Sequence, residues 1–331
     1  MAIKLTFFNH KGGVGKSTLS SNVARALQRS GYEVLLIDAD PQCNLSSLHL
    51  SEELLDTLLD ESNEDEGGNT IWSALRPVVR GKGDIVEVDV YGSDDTPGVV
   101  AGDVLLADYE RALYKEWSGC FTGDDRAYDV VSALSRVTNM IASEDNINAD
   151  FVIYDVGPNI GALNKIVLLD SDYFIVPLAP DLFSLRALSA VGKSVSNWIE
   201  EWQTAKKPVR KLIKGEPKFL GYVTSAFKRY RRKHTKLTNP HEYWENRIGV
   251  RVKNKLVEPL AAVSPASILN VPQKIGQVQN YQSLASKAMK HRVGIGELRK
   301  LVHPNYYKQV DNAAKEFDAI AQEILKRTGV V

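Results

Sequence analysis

The sequence is poor in the features that narrow a function by composition alone. Two cysteines, Cys43 and Cys120, in 331 residues are too few for a disulfide framework or a four-thiolate metal site. No apolar run reaches the ~20 residues that a membrane span needs. Met1-Ala2-Ile3-Lys4-Leu5 leads straight into a strand, without the layout of a signal peptide. There is no net charge, because 41 Lys and Arg balance 41 Asp and Glu. At 44% hydrophobic and 25% charged residues, disorder and collagen-like repeats are excluded as descriptions. No Ser/Pro linker and no internal repeat divides the chain. The expectation is one cytoplasmic domain spanning 1–331, with no membrane partner.

What charge there is lies unevenly. Residues 51–69 carry eight acids and no base, whereas 203–256 carry sixteen Lys and Arg against three Glu, a net of +13. Such asymmetry points to a surface for a polyanion. Within the basic stretch, Lys228-Arg229-Tyr230-Arg231-Arg232-Lys233-His234-Thr235-Lys236 packs six Lys or Arg into nine residues.

The apolar pattern predicts strands at Ile3–Asn9, Val34–Ile37, Gly98–Val100, Phe151–Tyr154, Tyr173–Val176, Phe219–Val223 and, more weakly, Ile268–Val271. Leu19, Val23, Ala26 and Leu27 repeat at helical spacing, and Gly31 ends that helix. A helix is expected over Leu105–Trp117, and another near the C-terminus from Val310, Ala314, Phe317, Ala321 and Ile324. Strands alternating with helices imply an α/β fold, a doubly wound and mostly parallel sheet flanked by helices. Two segments are non-standard. Residues 51–97 read as an elaborated, mobile acidic insertion, and 229–264 as a basic segment.

The chemistry concentrates in residues 9–18, Asn-His-Lys-Gly-Gly-Val-Gly-Lys-Ser-Thr. Glycines let backbone N–H groups turn inward around phosphate oxygens, and the helix that follows adds its N-terminal dipole. In such a loop Lys16 reaches the β- and γ-phosphates and the Ser17 hydroxyl binds Mg²⁺. A strand before the loop and an amphipathic helix after it supply the required context.

Lys11-Gly12-Gly13-Val14-Gly15-Lys16-Ser17-Thr18 resembles the deviant Walker A box of the ParA/MinD family of P-loop ATPases, whose mark is the extra lysine at the loop start, here Lys11. Asp38-Ala39-Asp40-Pro41-Gln42 resembles the family's switch I. Phe151–Asp155, followed by Val156-Gly157-Pro158-Asn159-Ile160-Gly161, resembles its Walker B strand and switch II, with Gly157 where many relatives have Pro. The likeness covers roughly 1–50, 98–228 and 265–328.

The resemblance implies an ATP- and Mg²⁺-dependent homodimer. In it Lys11 would touch the partner's nucleotide, Gly12 to Thr18 would cradle phosphate, and Asp40 would orient the attacking water. Ser17, Asp38 and Asp155 would hold the metal shell, and Gly157 and Gly161 would let switch II move. Thr224 and Pro272 fall where the family holds adenine. The resemblance further implies contact with nonspecific DNA through Lys228, Arg229, Arg231, Arg232, Lys233 and Lys236, nucleoid association, and an unidentified ParB-like or cargo-adaptor protein that stimulates slow hydrolysis. The use would be plasmid or chromosome partition, or cargo positioning. No DNA-reading domain is expected before Lys11.

Two other functions compete. A ParA-like scaffold or signalling ATPase of a mobile-element or defence cluster would act through a protein partner at 51–97. A redox protein of the superfamily's iron-protein branch would need cluster-ligating cysteines flanking Asp155, and neither Cys43 nor Cys120 lies there. Near the C-terminus, Asp311, Glu316, Asp318 and Glu323 interrupt any basic face, so a docked core helix is expected rather than a membrane-surface one.

Overall fold

The fold is described from a computed structural model covering residues 2–63, 67–93, 95–143, 145–205, 213–227 and 240–330. Eight strands form one sheet: β1 (Ile3–Phe7), β2 (Val34–Ala39), β3 (Tyr91–Ser93), β4 (Thr96–Val100), β5 (Phe151–Val156), β6 (Tyr173–Leu178), β7 (Lys218–Phe227) and β8 (Lys274–Gln279). Their spatial order is β3-β4-β2-β5-β1-β6-β7-β8. Only the edge hairpin β3–β4 is antiparallel, while β2, β5, β1, β6 and β7 pair in parallel. The expected doubly wound α/β architecture is the one observed.

Alternation along the buried strands divides the core into two faces. Leu35 and Ile37 with Val152, Tyr154 and Val156 point to one side. There they meet α4 (Ile71–Arg80), α5 (Leu106–Glu116), α7 (Asp125–Ile141), α8 (Ala162–Asp170) and α9 (Leu182–Gln203). Val34 and Leu36 with Phe151 and Ile153 point to the other. That side is covered by α1 (Lys16–Arg29), α12 (Gln282–His291) and α13 (Tyr307–Thr328). The expected C-terminal core helix is α13, with Val310, Phe317, Ala321 and Ile324 buried. Ala313 and Ile320 are buried as well, so the stripe is broader than the sequence reading gave.

The parallel pairing fixes what stands at the sheet's C-terminal edge. Asp38 and Asp155 are paired in register on neighbouring strands. The loops after β1, β2, β5 and β6 therefore open on one side, where open α/β sheets bind ligands.

Two expectations need correction. The strand expected at Ile268–Val271 is a single bridge from Ile268 to Phe219. The true edge strand is β8, which buries only Ile275 and Val278 and so has no continuous apolar run to betray it. The described residues of 51–97 are packed and not an appendage. Helix α2 (Asn44–His49) leads into the segment and α3 (Glu52–Asn63) lies within it, and Leu55 and Leu58 pack with Leu50 and Ala101. Helix α4 sinks Ile71, Trp72, Ala74, Leu75 and Val78 into the main core. Thr70 caps it, accepting from Ser73 N–H at 3.2 Å and donating to Asp103 at 2.7 Å. The pattern reads weakly because the helix is short and Pro77 interrupts it.

Among the described residues, helices α6 (Gly119–Thr122), α10 (Pro240–Val252) and α11 (Glu258–Val263) complete the α-helices. A π-helical turn, Lys253–Val257, joins the last two. It crosses α9 at Gly192, where a Cβ would lie 1.9 Å from the Lys255 carbonyl oxygen.

The partly buried His49 imidazole bonds Ser21 Oγ at 2.9 Å. Burial, aided by the Arg25 charge, pushes it down to about 3. The unfolded chain takes up this proton near pH 6.5 and the folded chain does not, so stability is full above that pH and is lost as pH falls below it. Lowering pH from 7.5 to 5.5 is expected to cost about 1 kcal/mol at this residue. His49→Gln should flatten that part of a denaturant-derived stability profile, and an unchanged profile would remove His49 as its source.

Candidate nucleotide site

The loop between β1 and α1 winds Gly13 and Gly15 through left-handed φ of +71° and +84°, a conformation that suits glycine. The turn leads into α1, whose N-terminus faces the loop with no side-chain cap. A cleft of about 340 Å³ runs along Gly12, Gly13 and Gly15 to Lys16, Ser17 and Asp40, with Pro158 and Met289 at its rim. The predicted phosphate cradle is thus brought together.

Lys16 is 7% exposed. Burial lowers its pKa, while Asp155 and Asp40 pull it back up. Its ammonium has one weak tether, the Lys11 carbonyl oxygen at 3.5 Å. Asp155 is fully buried on β5, and burial raises its pKa, with Asp38 and Asp40 adding to the effect. One carboxylate oxygen accepts from Ser20 Oγ at 3.2 Å, and the other is buried with no hydrogen-bond partner. An unpaired carboxylate oxygen in a dry site is costly unless a cation or donor joins it. That orphan, beside Lys16 and the Ser17 hydroxyl, fits a hydrated Mg²⁺ held chiefly by phosphates and one hydroxyl. Among the described residues no cluster of three or more His, Cys, Asp or Glu is placed to hold a metal by itself.

Asp38 lies beside Asp155 and is bonded within its own turn. One oxygen accepts from Ser46 N–H and Oγ at 2.8 and 2.7 Å, and the other from Asp40 N–H at 3.2 Å. Gly102 packs so closely that a Cβ would meet this carboxylate at 2.8 Å. Through these bonds Asp38 anchors the 38–42 turn and α2. Asp40 is then presented to the cleft, 4% exposed, accepting from Gln42 N–H at 3.1 Å.

Lys11 points away from the cleft. Its ammonium bonds Asp181 at 2.6 Å and Ser184 Oγ at 3.1 Å, at the N-terminus of α9, which Asp181 caps. The pair is partly exposed, so its contribution to stability is small.

Of the two residues expected around adenine, Pro272 precedes β8, which β6 and β7 separate from β1, and is exposed. Thr224 is on β7 beside the loop, but alternation turns it to the other face, with its hydroxyl buried and unpaired. Its neighbour Ser225 takes the position instead, donating to the Val14 carbonyl at 2.6 Å. A second cavity of about 280 Å³ lies there, between Gly13, Val14 and Thr18 on one side and Ser225 and Val278 to Tyr281 on the other. Strand parity would have separated Ser225 from Thr224, whereas the polar sequence of β8 offers no signal.

Gly157 and Gly161 have no left-handed φ. Each lies against a carboxylate: a Cβ on Gly157 would meet Asp40 at 3.0 Å, and one on Gly161 would meet Glu110 at 1.7 Å. The sequence reading had no role for Glu110.

Both cysteines are buried and free, and burial raises the Cys43 and Cys120 thiols alike. The candidate DNA contacts Lys228, Arg229, Arg231, Arg232, Lys233 and Lys236 lie outside the described residues. Downstream of them, Arg247 on α10 stacks 3.9 Å over the Tyr243 ring.

Comparison with known proteins agrees with the geometry. The family model for an AAA domain matches residues 2–207. The virulence plasmid ParA family protein pGP5-D of Chlamydia psittaci is 30% identical over 188 residues, 56% of this chain and 61% of that protein. The chain spans between 40% and 66% of the length of the curated relatives it matches. Protein DIP2308 of Corynebacterium diphtheriae shares the fold over 98% of both chains, with a TM-score of 0.70 at 22% identity. A Cyanothece McdA–ATP complex does so over 98% and 96%, with a TM-score of 0.60 at 15% identity. The matched domain contains both the glycine loop and the Walker B strand, and the chain belongs to the ParA-like P-loop ATPases.

Proposed function

We propose that this chain is an ATP-driven switch: it binds ATP with Mg²⁺ in the loop 11–18, pairs with a second copy, holds nonspecific DNA in that state, and lets go after hydrolysis. The observation that carries the reading is the buried, unpartnered oxygen of Asp155 beside Lys16 and Ser17 at the foot of the glycine loop. Backbone N–H groups and Lys16 would bind the phosphates, and the cavity beside Ser225 and Tyr281 would take the base. Mg²⁺, when bound, neutralises the charge on the transferring phosphoryl group. Ser17 and Asp155 would hold it. Asp40 would orient the attacking water at the cleft and accept its proton.

Pairing would require Lys11 to leave Asp181 and reach the neighbouring copy's nucleotide. The basic run 228–236 would then be presented twice, which raises avidity for phosphate backbones. Partition of a plasmid or chromosome, or positioning of a cargo, with an unidentified ParB-like or adaptor protein accelerating release, is the use we favour.

Binding to random-sequence duplex DNA, measured with ATP, ADP or no nucleotide over a salt series, tests the reading. ATP-dependent binding that weakens with salt is expected, and replacing Arg229, Arg231, Arg232 and Lys233 by Ala should lower it at least tenfold. A second reading, a scaffold ATPase acting through a protein, is favoured by the folded helix α3, which exposes Glu52, Glu53, Asp56, Asp60 and Glu61. ATP-dependent pairing without DNA binding would transfer the function to that surface.

A further inference from the structure

Glu110 sits in the middle of α5, a helix held by Leu106, Tyr109 and Leu113, all fully buried. Tyr109 adds a hydrogen bond from its hydroxyl to the Val130 carbonyl at 2.9 Å. The backbone that carries Glu110 is therefore rigid. Its carboxylate oxygen Oε1 is buried and accepts no hydrogen bond. That oxygen occupies the space where a side chain at Gly161 would begin. Gly161 has φ −86° and ψ 177°, backbone that any residue adopts. The absence of a side chain at 161 is what lets the carboxylate lie there, since the chain's own conformation there suits any residue.

Gly161 closes the loop 157–161 and caps α8 without a side chain. In this structure the loop is tied to itself. Gly161 N–H donates to Asn159 Oδ1 at 2.9 Å, and Asn164 Nδ2 reaches the Gly157 and Asn159 carbonyls at 2.8 and 2.9 Å. At its other end Gly157 leans on Asp40. The loop thus lies between two carboxylates, one in the cleft and one on α5. The second has a buried acceptor with nothing to accept, a state that costs free energy until a donor arrives.

We propose that Glu110 is a positioning residue for the switch loop. When nucleotide orders the loop, a loop N–H freed from Asn159 is captured by Glu110 Oε1 at the Gly161 end, while the Gly157 end stays against Asp40. The proposal rests on the ATP-switch reading above. It requires two arrangements of the loop, of which this structure is one.

Three forms of the full chain test it: wild type, Glu110→Ala and Glu110→Gln. The glutamine keeps an acceptor oxygen at the same reach. With Mg²⁺ and a non-hydrolysable ATP analogue, amide exchange in the peptide covering 157–164 should slow in wild type and in E110Q but not in E110A. Steady-state kcat for ATP should fall about tenfold in E110A with KM within twofold, and should return to within threefold of wild type in E110Q. Equal exchange in all three proteins overturns the proposal, as does an E110Q defect as deep as that of E110A. If wild type fails to bind the analogue, the ATP-switch reading falls and takes this proposal with it. Binding without an E110A effect removes Glu110 alone.

Discussion

Lys16→Ala is expected to lower ATP turnover by about 10²–10³-fold, the cost of removing one preorganised charge from a site of this kind. The ammonium is buried, faces two carboxylates and has only a 3.5 Å carbonyl contact to leave behind. Its loss should hardly disturb folding, because burial already disfavours the charged form. The melting temperature of the nucleotide-free protein should stay within a few degrees of wild type while nucleotide affinity collapses. That split marks a binding charge, whereas a structural lysine would lower both. Turnover within tenfold of wild type would remove the loop 11–18 as the reaction site and with it the role given to Asp155.

Trp72→Ala is expected to destabilise the chain by about 3–5 kcal/mol, the range for deleting a large buried aromatic. Trp72 is 1% exposed and belongs to the same core cluster as Leu35, Val152 and Tyr154 on the central strands. Were 51–97 an appendage, this substitution would leave the sheet's stability alone. Tyr114→Ala is the control. At 84% exposure it should change stability by no more than about 0.5 kcal/mol. Denaturant unfolding of the two variants reads the difference directly, and equal midpoints would restore the picture of a detached insertion.

The phosphate loop is legible in sequence because its chemistry is contiguous. Eight consecutive residues, a strand before them and a helix after them contain the whole device, so spacing alone identifies it. Asp40 and Asp155 are legible for a related reason: each closes a buried apolar strand, and parallel strands deliver their C-terminal ends to one edge. Glu110 is not legible, because a carboxylate on an amphipathic helix looks like any solvated side chain. Its meaning comes from Gly161, which is distant in sequence and touches it only once α5 packs beside α8. The strand expected at Ile268–Val271 shows the opposite error: an apolar stretch looks like a strand, but it makes only the bridge from Ile268 to Phe219, and the ladder to β7 begins at Lys274.

The sequence by itself determined the α/β class, the central strands, the glycine loop and the uneven charge. These rest on local patterns: periodicity, backbone freedom at glycine, and side-chain valence. Tertiary structure alone decided that Asp38 ties its turn to Ser46, and that Lys11 rests on Asp181. It also decided that Ser225 and not Thr224 faces the second cavity, and that Gly157 and Gly161 make room for carboxylates. Each of those depends on which neighbour fills a given space, and close packing sets that only after helices from distant parts of the chain have settled on the two faces of one sheet.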